Sequence, residues 1–205
     1  MALVSSEDWA AFGVLRKRLG LWTALSVALT IENRKRNGQP FHQLEPPTDA
    51  KEVASREQIG AAIILYQVLK ESKFADSALD ITAEVIEASA HVFLRKLIGP
   101  LDRDELVQLD EPAKRDFLSS RLEKIPNAIT RIDAVDDEMV QFTVNRCHFV
   151  GLCGRTGVSE LSPLFCAVDE SYFGNVESGA RLIRPSTIAS GDDRCLFVLD
   201  FKEDG

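Results

Sequence analysis

The stretch that decides the fold is AITRIDAVDDEMVQFTVNRC, Ala128 to Cys147. Two runs rich in β-branched and aromatic residues flank Asp136-Asp137-Glu138, the pattern of a β-hairpin. Upstream of it the chain reads as helical. Downstream, the segments CHFVGLCGR and VSELSPLFCAVDESYF read as short helices separated by Thr156-Gly157. RLIRPSTIAS, a turn at Gly191-Asp192-Asp193 and CLFVLDF then read as a second antiparallel pair. Helices first and a small antiparallel sheet with short helices later make an α+β fold. A single domain over residues 1–205 is expected, mainly helical to about residue 126 and α+β from about 127.

Toward the N-terminus, Trp9, Phe12, Leu15, Leu19, Trp22 and Leu25 recur at three- and four-residue spacing. This predicts one helix, capped by Ser6 and ended at NRKRNGQP by Gly38 and Pro40. FHQLEPPTDAK is a loop. A second helix is expected from Ser55, where SREQ has the form of a capping box, through GAAIILYQVLKES. A third runs from Ala75 to Ile98, with Leu79, Ile86, Ala90, Phe93 and Leu97 as its stripe and Gly99-Pro100 as its stop. Shorter helical pieces follow around DRDELVQL and EPAKRDFLSSRLEKI, the latter with Pro112 near its start.

With 205 residues, 45% of them hydrophobic, the chain can bury a core without disulfides. A net charge of −8 and a pI near 5.0 remove the overall basic footprint of a nucleic-acid binder. The longest apolar run, LGLWTALSVALTI, is shorter than the ~20 residues of a membrane span. The start, MALVSSEDWAAF, carries acids where a signal peptide carries positive charge. A cytoplasmic protein with reduced cysteines is expected, without nucleic-acid or membrane partners; a homo-oligomer is left open.

The four cysteines, Cys147, Cys153, Cys166 and Cys195, all fall after the hairpin's first strand. In LSPLFCAVDESYF, Cys166 and Asp169 stand at i and i+3 and share a helix face. A thiolate is a strong nucleophile, but a neighbouring carboxylate raises a thiol pKa. Asp169 therefore suits a proton shuttle or a holder of a cationic substrate. The plainer reading makes Cys166 a small core residue and Asp169 a solvated acid, and pattern alone favours it. Arg146-Cys147-His148 pairs a thiol with an imidazole near a helix N-terminus, where the dipole lowers a thiol pKa. An inward-packing strand end fits the same residues.

Cys195, with Cys147, Cys166 and Asp169 or His148, would complete a zinc site. No C-x-x-C pair is present, so no cofactor is expected, with zinc or another divalent metal as the alternative. His91 with Glu84 and Glu87 lacks the E-x-x-H spacing of a di-iron bundle and reads as a solvated helix face; His42 carries no signal. The absence of G-x-G-x-x-G, a P-loop and G-x-S-x-G removes support for dinucleotide, ATP and α/β-hydrolase chemistry.

Taken in order, Arg146-Cys147, Thr156-Gly157, Ser159-Glu160-Leu161, Leu164-Phe165-Cys166 with Asp169, and Arg184, Thr187, Gly191, Cys195 and Phe197 form a pattern. It resembles the L-2-amino-thiazoline-4-carboxylic acid hydrolase family over about Val135 to Phe201. Leu196 departs from the aspartate often found between the last cysteine and phenylalanine, and Cys153 is not among the family's usual cysteines.

The resemblance implies a hydrolase of non-peptide C–N bonds acting on a small cyclic amidine or isothiourea. It implies Cys166 as nucleophile, Asp169 as proton shuttle, and Cys147 and Cys195 as alternative or supporting thiols. Arg146 or Arg184 would hold the substrate carboxylate, with His148 and Thr187 as further substrate contacts. A ligand-binding or sensor module of vinyl-reductase (V4R) type is the competing reading, against which stands the lack of a helix-turn-helix signal. A family member without catalysis is a third.

Overall fold

The computed structural model describes residues 5–97, 103–174 and 179–201. Its helical part begins with α1 (Ser6–Leu19) and α2 (Leu21–Arg36). The single helix expected there is broken at Gly20, whose φ of 80° lies in the left-handed region that glycine enters freely. The break divides the apolar stripe. Leu15 and Leu19 are buried, whereas Trp22 on the second segment is 82% exposed. The cap is Ser5 rather than Ser6, because Ser5 and Asp8 exchange side-chain and backbone bonds reciprocally.

Helix α3 (Ala50–Lys70) starts five residues before the predicted Ser55. The Asp49 carboxylate accepts the Glu52 amide at 2.7 Å, and the Glu52 carboxylate accepts the Thr48 amide at 3.1 Å. That cap wins over SREQ. Ser55 is buried inside the helix, its hydroxyl donating to the carbonyls of Lys51 (2.7 Å) and Pro126 (3.2 Å).

Helix α4 (Ala78–Leu97) follows a 3-10 turn at Ala75–Ser77. Its buried side is Ala78, Ile81, Thr82, Val85 and Ile86, so Leu79 points outward from the predicted stripe. Ile98 and the Gly99-Pro100 stop lie outside the described residues. Lys96 pairs with Glu7 at 2.9 Å and Arg18 pairs with Glu84, so α1 and α4 run antiparallel. Two short helices, α5 (Arg103–Val107) and α6 (Glu111–Leu122), lead into the sheet; Asp110 caps α6 and Pro112 sits in its first turn.

The hairpin forms where the sequence places it, as β1 (Ala128–Val135) and β2 (Met139–Cys147). Then come α7 (His148–Arg155), a 3-10 turn at Ser159–Leu161, α8 (Ser162–Phe173), β3 (Arg181–Ser186) and β4 (Cys195–Asp200). The four strands form one antiparallel sheet in the order β1-β2-β4-β3. The fold is α+β, and among the described residues no helix is long and apolar enough to cross a membrane.

Two hydrophobic cores result. One joins α1–α4 to α7 around Ile59, Ile63, Leu69, Ile81 and Leu152. The other packs α6 and Tyr172 and Phe173 of α8 on the sheet residues Val140, Phe142, Phe197 and Leu199. Cys147 touches both.

Glu52 ties the start of α3 to α7. Its side chain is fully buried, 2.7 Å from the guanidinium groups of Arg56 and Arg155 and 2.8 Å from the Thr48 hydroxyl. Burial alone would raise its pKa. Hydrogen bonds from Arg56, Thr48 and Arg155 more than offset that and leave it well below the ordinary carboxylate value. Its stabilising contribution is therefore present above the unfolded-chain carboxylate pKa and is lost as pH falls. Glu52→Gln should cost about 3–5 kcal/mol in urea denaturation at pH 7. The deficit should shrink toward acid pH; a cost that stayed constant across that range would refute the ion-pair account.

Candidate active site

A pocket of about 1010 Å³ lies between the two cores. Cys147, Cys166, Asp169, Arg184 and Cys195 all line it; Arg146, His148 and Thr187 do not. The structure thus brings together five of the eight residues proposed from the sequence. The elements explain both groups.

On α8, Ser162, Phe165, Cys166, Asp169 and Phe173 line the pocket, a single face at helical spacing. Cys166 and Asp169 point the same way, and Asp169 is a half-buried pocket residue, its side chain 29% exposed, rather than a freely solvated acid. Its Oδ2 accepts from Arg184 Nη1 at 3.0 Å. Burial pushes its carboxyl up, and Arg184 partly counters this, leaving a pKa of about 6. Burial also pushes the Cys166 thiol up, to about 12, against the pull of Arg184 and with the Asp169 charge adding to the rise.

Arg184 enters from β3 with its side chain only 3% exposed. Besides Asp169 it donates through Nη2 to Glu170 Oε1 (2.8 Å) and to the Cys166 carbonyl (3.0 Å), and it lies 5.3 Å from the Phe197 ring centroid. Its Nε is buried without a partner. Three of its five N–H groups are engaged, so a fork through both Nη groups on a substrate carboxylate would have to displace Asp169 or Glu170.

Strands β2 and β4 face the pocket with Val140, Phe142 and Val144 and with Cys195, Phe197 and Leu199, and the Phe142 and Phe197 rings stack 4.7 Å apart. Strict alternation from Val144 would carry Arg146 inward and Cys147 outward. A bulge prevents it. Ile129 pairs with Arg146 but Thr130 with Val144, so Asn145 is the extra residue and the phase inverts. Cys147 is thereby aimed at the pocket, where Asn127 Nδ2 donates to its Sγ at 3.6 Å, and Arg146 is exposed. His148 is buried on the other side, its Nε2 3.3 Å from Asp49 Oδ1, with burial lowering its pKa.

Thr187 shapes the loop behind the site. Its Oγ1 accepts the Ser190 amide at 3.2 Å and its own amide donates to Asp192 at 2.8 Å. Gly191, at φ 99°, completes that turn. The loop presents the Ile188 amide to Cys195 Sγ at 3.2 Å, while burial raises the Cys195 pKa. Cys153 is buried in the helical core, does not line the pocket, and has its thiol pushed up to about 11 by burial. His91 is half-buried and bonded to Ser171 Oγ at 2.7 Å, not on a solvated face. Among the described residues no three His, Cys, Asp or Glu side chains cluster as metal ligands.

Arg121, Asn127 and Phe142 are pocket residues that the sequence reading missed, whereas Phe197 stood in the recurring pattern without an assigned role. Alternation along β2 could have marked Phe142.

The L-2-amino-thiazoline-4-carboxylic acid hydrolase family model matches residues 56–199, from within α3 to Leu199 in β4. The chain belongs to this family. Neither the curated proteins nor the solved structures gave a match. The family name indicates hydrolase activity, and the matched span contains all five of the pocket residues named from the sequence.

Arg184 stands closest to Asp169 among the charges that hold its carboxyl down. Arg184→Gln should therefore move the Asp169 pKa upward from about 6, read by carboxyl-selective NMR titration. A downward or absent shift would overturn this electrostatic account.

Proposed function

We infer that the protein hydrolyses a cyclic amidine or isothiourea such as L-2-amino-thiazoline-4-carboxylate, using Cys166 and Asp169. The observation that carries the reading is the convergence of Cys166, Asp169 and Arg184 on one pocket, in a chain of this hydrolase family.

Burial pushes the Cys166 thiol up to about 12, so it is held protonated at neutral pH and needs a base at the moment it adds. Asp169, near 6, is mostly ionised at neutral pH and sits on the same face. It takes the thiol proton as sulfur adds to the amidine carbon, a concerted transfer that avoids the free thiolate. The tetrahedral adduct collapses by expelling one ring heteroatom, which receives the proton from Asp169. Water then adds to the enzyme-bound carbon and the Cys166 thiol leaves, so one water is consumed per turnover. Expulsion of the ring nitrogen is the C–N hydrolysis proposed here; expulsion of the ring sulfur would release a thiol, which a thiol titration of the product detects. Asp169 also favours the protonated amidinium over a neutral ring. Cys147 and Cys195 flank the same space as supporting thiols.

Two measurements test this. Cys166→Ala should lower kcat by at least about a thousandfold with circular dichroism unchanged, while Cys147→Ala and Cys195→Ala lower it less. Full activity in all three variants would sink the covalent route. The kcat/KM profile should rise with pH through an inflection near 6 as Asp169 loses its proton, and Asp169→Asn should abolish that limb. The same group has a stability signature of opposite sense. A raised carboxyl pKa stabilises below the unfolded value and that contribution is lost as pH rises through about 6.

A further inference from the structure

The pocket is much larger than the molecule that names the family. Pockets enclosing drug-sized ligands run from roughly 300 to 1,000 Å³, and this one is about 1010 Å³. A single five-membered ring with a carboxylate would leave most of it unfilled. Away from α8 most of its wall is apolar, formed by residues such as Phe12, Ile59, Val85, Ala90 and Phe93 of α1, α3 and α4, with Glu7, Asp8, Glu32, Lys35 and Arg36 of α1 and α2 also lining it. A small polar substrate has no use for that surface.

Among these walls stands Arg121 of α6. Its guanidinium lies 4.0 Å from the Phe117 ring centroid, and its Nη1 is buried without a hydrogen-bond partner. Arginine stays charged at every relevant pH, and a buried N–H of a guanidinium left unpaired is costly. The pocket's other arginine at depth, Arg184, is already engaged by Asp169, Glu170 and the Cys166 carbonyl, with Nε alone unpartnered. Arg121 and Arg184 thus both line the chamber, and each keeps one guanidinium nitrogen without an acceptor. The acceptor they lack is an oxygen anion carried on an apolar body.

We propose that the pocket takes an amphiphilic carboxylic acid, its carboxylate on Arg121 and its apolar body along the wall formed by α1, α3 and α4. Binding of this kind needs no turnover. Where the hydrolase reading also holds, the reacting amidine lies at Cys166 and Asp169 and the acid is a separate end of the same molecule.

The test uses the full chain carrying Cys166→Ala, which separates binding from catalysis. The probe is cis-parinaric acid, a conjugated polyene fatty acid, displaced in turn by dodecanoate and by dodecanol. Dodecanoate should displace it with one site per chain, at least about tenfold better than dodecanol, the scale of one charge-assisted pair. Arg121→Gln should remove that preference, weakening dodecanoate about tenfold while leaving dodecanol within about twofold, a readout that also shows the variant is folded. Arg121→Lys should keep part of the preference. Equal binding of acid and alcohol by the parent chain, or dodecanoate binding unchanged in Arg121→Gln, would overturn the proposal. Its failure leaves the Cys166 turnover result standing, and inactivity of the chain on any amidine leaves this binding result standing.

Discussion

The site depends on burying the Arg184 guanidinium between α8 and the sheet. A group that cannot shed its proton must find acceptors when it leaves water, and here α8 supplies all three: Asp169, Glu170 and the Cys166 carbonyl. Those bonds fix how far α8 slides along β3 and how it rotates. A rotation of one residue, about 100°, would carry Asp169 off Arg184 and Cys166 out of the pocket. The same contact sets the chemistry. Burial makes Asp169 a stronger base than an ordinary carboxylate, and Arg184 keeps it ionised at neutral pH.

What the sequence disclosed follows from how local each feature is. The hairpin, the short helices after it and the final strand pair were legible because each is written in a few neighbouring residues. The shared face of Cys166 and Asp169 was legible for the same reason. The break at Gly20 and the early start of α3 were not. Each was a contest between two acceptable local signals, and packing decided it: Ser55 serves the core by bonding to Pro126, far along the chain. The fate of Arg146-Cys147-His148 was the least legible. It turns on a bulge at Asn145 that exists only as a mismatch with β1. The bulge sends one residue of the trio to solvent, one to the pocket and one to the helical core.

The bulge also shows that a recurring motif need not be a list of chemical groups. In the run from Arg184 to Phe197, Thr187 and Gly191 build a turn, and their contribution to the site is indirect: they hold the Ile188 amide against Cys195. Arg184 and Phe197 meet each other at the pocket wall. Thr187 shapes the loop behind the pocket, whereas Asp169 lines the pocket itself.

A chamber with apolar walls on two sides should close on itself unless something outside it resists, since bringing those walls together would remove apolar surface from water. Polar ties brace the elements that surround it. Arg184 holds α8 to the sheet. Glu52 joins α3 to α7 through Arg155. Lys51 donates to the Glu123 and Ile125 carbonyls at 3.2 and 2.7 Å, and with Ser55 it anchors α3 to the chain entering β1. These bonds are directional, and collapse would leave their buried ends unpaired at a cost of about 1–3 kcal/mol per group. Directional polar ties thus brace the helices and the sheet around the chamber, in addition to the packing within each core.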